Sequence, residues 1–273
     1  MKPLLPFPRR APASIIPAMR SRLVPLAVLL LLGLGPARPA AATTARLPWS
    51  AGERLEMQVD LPWLVEAARV HLEVLPESGK GGASGIRLLA EVSPGPLMGS
   101  IMQFHYRLLS TVNLPRFLPA EGSRQMQQGG DLEFTALSFD RTHLRVEERQ
   151  RAGGEVVRAQ PIEAETRDLL AALYHLRARP ATAGVTSVYE NGRLYRVEMR
   201  AQEAGEIEVP AGRFASRRYR IEASASGGER PVRAVDLWVS DDARRLPLRL
   251  EAETPLGRLV ALLLSADGTP KGR

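Results

Sequence analysis

The chain has 273 residues, with 37 Lys and Arg against 30 Asp and Glu, and no cysteine. Without cysteine there is no disulfide scaffold, thiolate metal site, thiol nucleophile or lipid-anchored N-terminal Cys. Six of the basic residues and none of the acids fall in residues 1–42, which leaves 31 basic against 30 acidic residues, interleaved, in the remainder; a nucleic-acid surface needs clustered, unbalanced Lys and Arg and is excluded.

Residues 1–22 carry Lys2, Arg9, Arg10, Arg20 and Arg22; Leu23–Gly35 is an apolar run of 13 residues; small residues follow at Ala37 and Ala40-Ala41-Ala42. This order reads as a secretory signal peptide cleaved near Ala42. A membrane-spanning helix needs about 20 apolar residues, more than this run offers. The basic segment is long for a signal, and a start at Met19 would give a more ordinary length. The expected organisation is a signal at 1–42, a linker at 43–50, a single domain at 51–266 and a polar tail at 267–273. The expected location is the periplasm.

Strand-like segments follow between turn signals: Arg54–Asp60, Ala68–Leu75, Gly85–Val92, Ile101–Val112, Leu132–Phe139, Thr142–Glu148 and Glu155–Gln160. Glycine-rich breakers at 79–82, 129–130 and 153–154 separate them. Ala164–Arg177 then reads as a helix, with Thr166 as its cap, acids in the first turn, basic groups in the last, and Pro180 as the stop. From Leu169 to Leu176 only His175 is polar, so this helix is expected to be covered on most sides.

Strands resume at Gly184–Glu190, Arg193–Ala201, Glu206–Pro210, Arg213–Ala223, Val232–Val239, Leu246–Glu253 and Arg258–Ser265. Asn191-Gly192 is the strongest hairpin signal, because both residues tolerate positive φ. Leu246, Leu248, Leu250 and Ala252 alternate with polar positions, the mark of a half-buried strand. Leu259–Leu264 (LVALLL) is apolar on both faces and is expected to be a central strand covered twice, with the helix on one side. The expected fold class is all-β with one helix: an antiparallel, strongly curved sheet or barrel-like single domain.

The chemistry-bearing residues form no catalytic constellation. His71, His105, His143 and His175 stand in no metal-binding spacing, and satisfied or solvent-facing roles are expected for them. No Gly-x-Ser-x-Gly occurs, and the glycine cluster at 79–82 lacks the ending of a phosphate loop. Asp241-Asp242 beside Arg244-Arg245 reads as a turn whose acids cap backbone amides and pair with the arginines; the competing reading is a calcium ligand or hydrolytic carboxylate pair. Trp238 faces away from the Leu237 side of its strand, as core filler, a cover for the helix or a ligand platform. Met98, Met102, Met126, Phe104 and Leu97 could line an adaptable apolar pocket. No catalytic, cofactor-binding or metal residue is assigned, and no cofactor is expected.

Three segments together resemble the bacterial domain-of-unknown-function family numbered 3108. They are Asp168–Arg177, with its Tyr174-x-x-Arg177 pattern; Glu206–Phe214, with Val209-Pro-Ala-Gly212; and Leu237–Pro247, followed by Gly257. Gly52-Glu53-Arg54-Leu55 is similar to the family's first strand, while Ala67-Ala68 stands where a glycine would be expected. The resemblance implies an exported, mostly β envelope protein, and it brings no reaction or catalytic residue. The leading expectation is non-catalytic binding of a lipid-like, apolar or amphipathic envelope molecule. The alternatives are an interaction component of envelope assembly, meeting another envelope protein, and an envelope hydrolase using Asp241 or Asp242 with a spatially adjacent histidine.

Overall fold

The structure is a computed structural model that describes residues 47–76, 85–114, 116–151, 155–179, 183–225 and 233–268. The leader at 1–42, the first half of the expected linker, the glycine cluster at 79–82 and most of the tail lie outside these residues. Fourteen antiparallel strands form one sheet: β1 (Arg54–Leu61), β2 (Leu64–Leu75), β3 (Gly85–Pro94), β4 (Phe104–Asn113), β5 (Leu118–Gln128), β6 (Asp131–Asp140), β7 (Arg145–Arg151), β8 (Glu155–Pro161), β9 (Ala183–Glu190), β10 (Arg193–Val209), β11 (Gly212–Ala225), β12 (Arg233–Ser240), β13 (Pro247–Thr254) and β14 (Gly257–Asp267). Among the described residues two helices accompany them, α1 (Pro96–Ile101) and α2 (Leu169–Ala178).

The strand order is β8-β7-β6-β5-β4-β3-β2-β1-β14-β13-β12-β11-β10-β9. Neighbours in sequence therefore pair as a meander, and β1 joins β14 to make two arms continuous. The inward face alternates as the sequence requires: Leu55 opposes Leu72, Met57 opposes Val70 and Leu263, and Leu237 opposes Leu250. These side chains are buried in one core with the helix residues Leu169–Leu176. A sheet this long curls, because strand twist accumulates across it.

β8 and β9, the two ends, do not pair with each other; the ends overlap. Tyr195 opposes Val188 on the interior side, so Tyr189 points away from that side of its own strand. It is nonetheless buried, because it packs with Phe139, Val146 and Ile162 in a second cluster, with Leu137 and Leu194 at its margin. The rings of Tyr189 and Phe139 meet edge-on at 6.4 Å. The β9–β10 end thus lies inside the arm formed by β6–β8. The edge of β9 is also covered: the Arg167 N–H donates to the Ser187 carbonyl and the Tyr189 N–H to the Arg167 carbonyl, which blunts an otherwise unpaired strand.

Several elements differ from the sequence expectation. β5 was not expected, since its inward positions include Gly122 and Arg124 rather than an apolar series. β10 and the expected strand at Glu206–Pro210 are one 17-residue strand with an irregularity between Ala201 and Ala204. Residues 96–101 form α1 where a strand was expected to begin at Ile101. α2 starts at Leu169, not Ala164, and its cap is Asp168, whose carboxylate accepts from the Ala171 N–H at 2.8 Å. Thr166 instead accepts from the Glu163 N–H and donates to Ser187. β14 is central, between β1 and β13, but only Leu259, Ala261 and Leu263 are buried; Val260, Leu262 and Leu264 are half-exposed on the outer side. Trp49, placed in the linker by sequence, is buried against Tyr174, with ring centres 4.9 Å apart. At the other terminus the Gly268 carbonyl accepts from Ser50.

Candidate functional site

In a meander the connections fall alternately at two ends of the sheet. One end carries β2–β3, β4–β5, β6–β7, the passage through α2, β10–β11 and β12–β13; the opposite end carries the remaining hairpins and α1. The two ends have different chemistry.

At the first end, Arg177 is the centre of a clamp. Its guanidinium donates to both oxygens of Glu53, at 2.5 and 2.9 Å, and to the carbonyls of Arg244 and Arg245 at 3.2 and 3.0 Å. It also stacks on Trp49 and Tyr174. Both charged side chains are fully buried. The β10–β11 hairpin reaches the same place: the Ala211 N–H donates to the Leu263 carbonyl, the Asp241 N–H to the Ala215 carbonyl, and Arg244 stacks on Phe214. Helix, hairpin and turn, which look unrelated along the chain, meet here.

The Asp241-Asp242 turn belongs to this clamp. Asp242 accepts from Ser240, from the Arg244 N–H and from the Arg244 guanidinium, and Arg245 pairs with Asp241. These bonds hold the Asp242 carboxyl below its usual range against the opposing effect of burial. The turn displays the capping and pairing that favour a structural role, and none of these partners is a histidine.

A buried polar cluster lies where the sheet ends overlap. Arg124 on β5 is 3.5 Å from Glu190 on β9 and 3.7 Å from Glu148 on β7, and Tyr189 donates to Glu148 at 2.8 Å. Asp168, capping α2, accepts from Ser110. Burial raises the carboxyl of Asp168, and burial raises that of Glu190 to about 7, opposed by Arg124 and reinforced by Asp168 and Glu148. None of these residues except Asp168 was singled out by sequence, because their partners are strands apart.

The opposite end is apolar. Nine of the ten large hydrophobic side chains exposed among the described residues lie there: Trp63, Val65, Leu97, Ile101 and Leu256, then Leu132, Phe134, Val156 and Val157. The segments that carry the first five are tied together by bonds to main-chain carbonyls. Trp63 donates to the Leu256 carbonyl at 3.3 Å, and the Gly95 N–H at the head of α1 donates to the Ala67 carbonyl of β2. The β5–β6 hairpin adjoins them through a Gly129 N–H donation to the Gln103 carbonyl. Trp63 is 58% exposed and Ile101 79%. Beneath this rim Met98 is buried, and Phe104 and Met126 pack on the core; Met102 is half-buried, so of the expected pocket set only Leu97 faces solvent.

The remaining candidates are dispersed. Trp238 lies on the outer face, where two guanidinium groups, Arg218 and Arg249, stack on it. His71 bonds Glu56 and Glu73, and His143 bonds Asp140. His175 differs from the expectation of satisfied histidines: it is buried beside Phe117 with no hydrogen bond to Nδ1 among the described residues. Burial, then Arg167 and Arg179, lowers it to about 3. No group of three or more His, Asp or Glu among the described residues is placed to hold a metal ion. No described helix is long and apolar enough to cross a membrane.

No curated protein matches the chain. Among solved structures it is similar to a β-barrel-like protein of the domain of unknown function DUF1849 from Brucella abortus, at 8% identity and a TM-score of 0.51, over 80% of this chain and 97% of that one. A Bacteroides fragilis protein with a YmcC-like fold matches at 8% identity and a TM-score of 0.36, over 81% of this chain and 98% of that one. The first likeness is one of fold alone. The family described as "Protein of unknown function (DUF3108)" matches residues 56–264, which include the overlap, the apolar rim and the clamp apart from Trp49 and Glu53. The chain belongs to the DUF3108 family of proteins of unknown function.

Proposed function

We propose that the protein is exported by its N-terminal leader and acts in the periplasm as a non-catalytic binder of an apolar or amphipathic envelope molecule, engaged at the apolar rim. One observation carries the reading: nine of the ten large hydrophobic side chains exposed among the described residues gather at a single end of the barrel-like sheet. Scattered surface apolar residues need no explanation, whereas a gathered set rimmed by polar groups marks a binding surface. The mouths of barrel-like folds are common places for such ligands. The pairing of Asp241 and Asp242 within the clamp favours this reading over the hydrolase.

Trp63 provides the assay. It is exposed at the rim, whereas Trp49 is buried and Trp238 is half-buried between arginines. Titration with phosphatidylethanolamine–phosphatidylglycerol vesicles is expected to shift the tryptophan emission to the blue, and Trp63→Phe is expected to remove the shift. Organic extraction of protein purified from its own periplasm should yield a lipid-like molecule. An unchanged emission at saturating lipid, with nothing extracted, overturns the reading. The exposed Val156 and Val157 on the edge strand β8 favour a second reading, in which another envelope protein is the partner; crosslinking in cells separates the two.

A further inference from the structure

We propose that the overlap between the ends of the sheet is a proton-operated latch, in which Glu190 and Glu148 share the single cation Arg124 and Glu190 carries the exchangeable proton. Three buried carboxyl groups, Glu190, Glu148 and Asp168, approach one another here from β9, β7 and the head of α2. Among the described residues Arg124 on β5 is the basic group placed to bond both Glu190 and Glu148, and it also approaches the Thr135 hydroxyl of β6. Arg141 acts on Asp168 from a distance. Tyr106 on β4 lies beside Glu190 and Arg124, and Tyr189 donates to Glu148. Ionising every carboxyl would leave an uncompensated buried negative charge, which a folded protein avoids by holding a proton.

The assignment to Glu190 follows from the hydrogen bonds. Glu148 accepts the Tyr189 hydroxyl and Asp168 accepts both Ser110 and the Ala171 N–H, bonds that suit charged carboxylates. Glu190 has the long contact to Arg124 and the Tyr106 hydroxyl beside it, which favour its charged form against the larger opposing effect of burial. Its position gives the proton leverage. Glu190 ends β9 at the Asn191-Gly192 turn, where both residues have positive φ, and this turn is tied to the outer arm through a Gln160 donation to the Gly192 carbonyl. The β9–β10 tip has no strand pairing to that arm. Its inner side chains Val188, Tyr195 and Val197 anchor it in the main core, while toward the outer arm its hold is the small Phe139–Tyr189 cluster, the Gln160 bond and this polar group, so the charge state of Glu190 bears on the seam between the two arms.

The sign is fixed by linkage. The carboxyl sits at about 7 in the latch and at 4.5 when solvated. The closed form therefore holds the extra proton between those values, and closure weakens as pH rises through that window. The contribution is complete below 4.5, is lost progressively toward about 7, and is constant above.

Amide hydrogen exchange of residues 185–197 tests this, corrected for the intrinsic rate and referenced to β1–β2 in the same molecule. The opening equilibrium is expected to rise by up to about tenfold per pH unit between pH 5 and 6.5 and to level off near 7. In Glu190→Gln the rise should vanish with the segment still protected. In Glu148→Gln, with one negative neighbour removed, the levelling-off should move to lower pH. A flat wild-type profile, or the same rise in Glu190→Gln, overturns the latch. Should Glu190→Gln fail to fold, an unshifted profile in Glu148→Gln does so.

Discussion

Arg177→Met is the most informative single change to the clamp. It removes the partner of Glu53, whose side chain is fully buried, and strips a donor from the Arg244 and Arg245 carbonyls. Removing one member of a buried, hydrogen-bonded pair typically costs about 3–5 kcal/mol, because the other charge is left uncompensated. For a domain of this size about 2–4 °C is lost per kcal/mol, so the melting temperature should fall by about 6–20 °C. Replacing both partners is the discriminating step: Glu53→Leu with Arg177→Met removes the stranded charge and leaves two carbonyls short of a donor. The double variant should be more stable than Arg177→Met alone, with a coupling of about 2 kcal/mol or more, in the upper part of the range for residues in contact. Urea unfolding of the four members of the cycle, with unchanged slopes, gives the number. Effects that add to within about 0.5 kcal/mol would refute the reasoning, since they would mean that the two charges do not depend on each other.

His175 gives a pH prediction of the opposite sign to that of Glu190. Its folded value of about 3 lies below the solvated 6.5, so the folded state binds fewer protons and stability falls as pH drops from 6.5 toward 3. Each unit in that window costs about 1.4 kcal/mol at full effect, and His175→Leu should flatten the fall in urea midpoints between pH 7 and 4; an unchanged slope would refute it. Gly95→Ala tests the support of the rim: the added Cβ would lie 1.7 Å from the Glu66 carbonyl oxygen, against backbone that cannot yield cheaply. A loss of about 1–3 kcal/mol is expected by thermal denaturation, and wild-type stability would show that this corner is not rigid.

Much of the sheet was legible because most strands alternate cleanly. Leu55, Met57 and Val59, or Leu248, Leu250 and Ala252, put their side chains inward as a period of two requires. β5 was invisible for the same reason. It faces the polar cluster, so its inward series of Gly122, Arg124 and Met126 does not read as a core face. β10 was divided because Gln202-Glu203-Ala204-Gly205 reads as a loop, although the strand merely passes through an irregularity there. The buried helix was legible from its apolar run. The role of Arg177 was not, because a basic residue in a last turn is already explained by the helix dipole, and nothing local demands Glu53, 124 residues away.

The overlap shows why its buried polar residues were harder to find than the fold. By alternation, Tyr189 belongs to the outer, solvent-facing side of β9, and Glu190 is a polar residue at a hairpin tip. Both readings hold for an isolated sheet and fail for a sheet that winds past itself, because the inner face of one arm becomes the covering of the other. Winding turns two ordinary surface positions into buried ones and brings Glu148 and Arg124 to them from different strands. The same winding separates the two ends of the molecule. One is filled by α2 and locked by Arg177; the other keeps Trp63, Leu97 and Ile101 in solvent. Of the segments that carry the family resemblance, Tyr174-x-x-Arg177, Val209–Gly212 and Leu237–Pro247 belong to the locked end, whereas Gly257 lies in the β13–β14 turn at the rim. Those three segments are therefore a signature of how the sheet is held at that end.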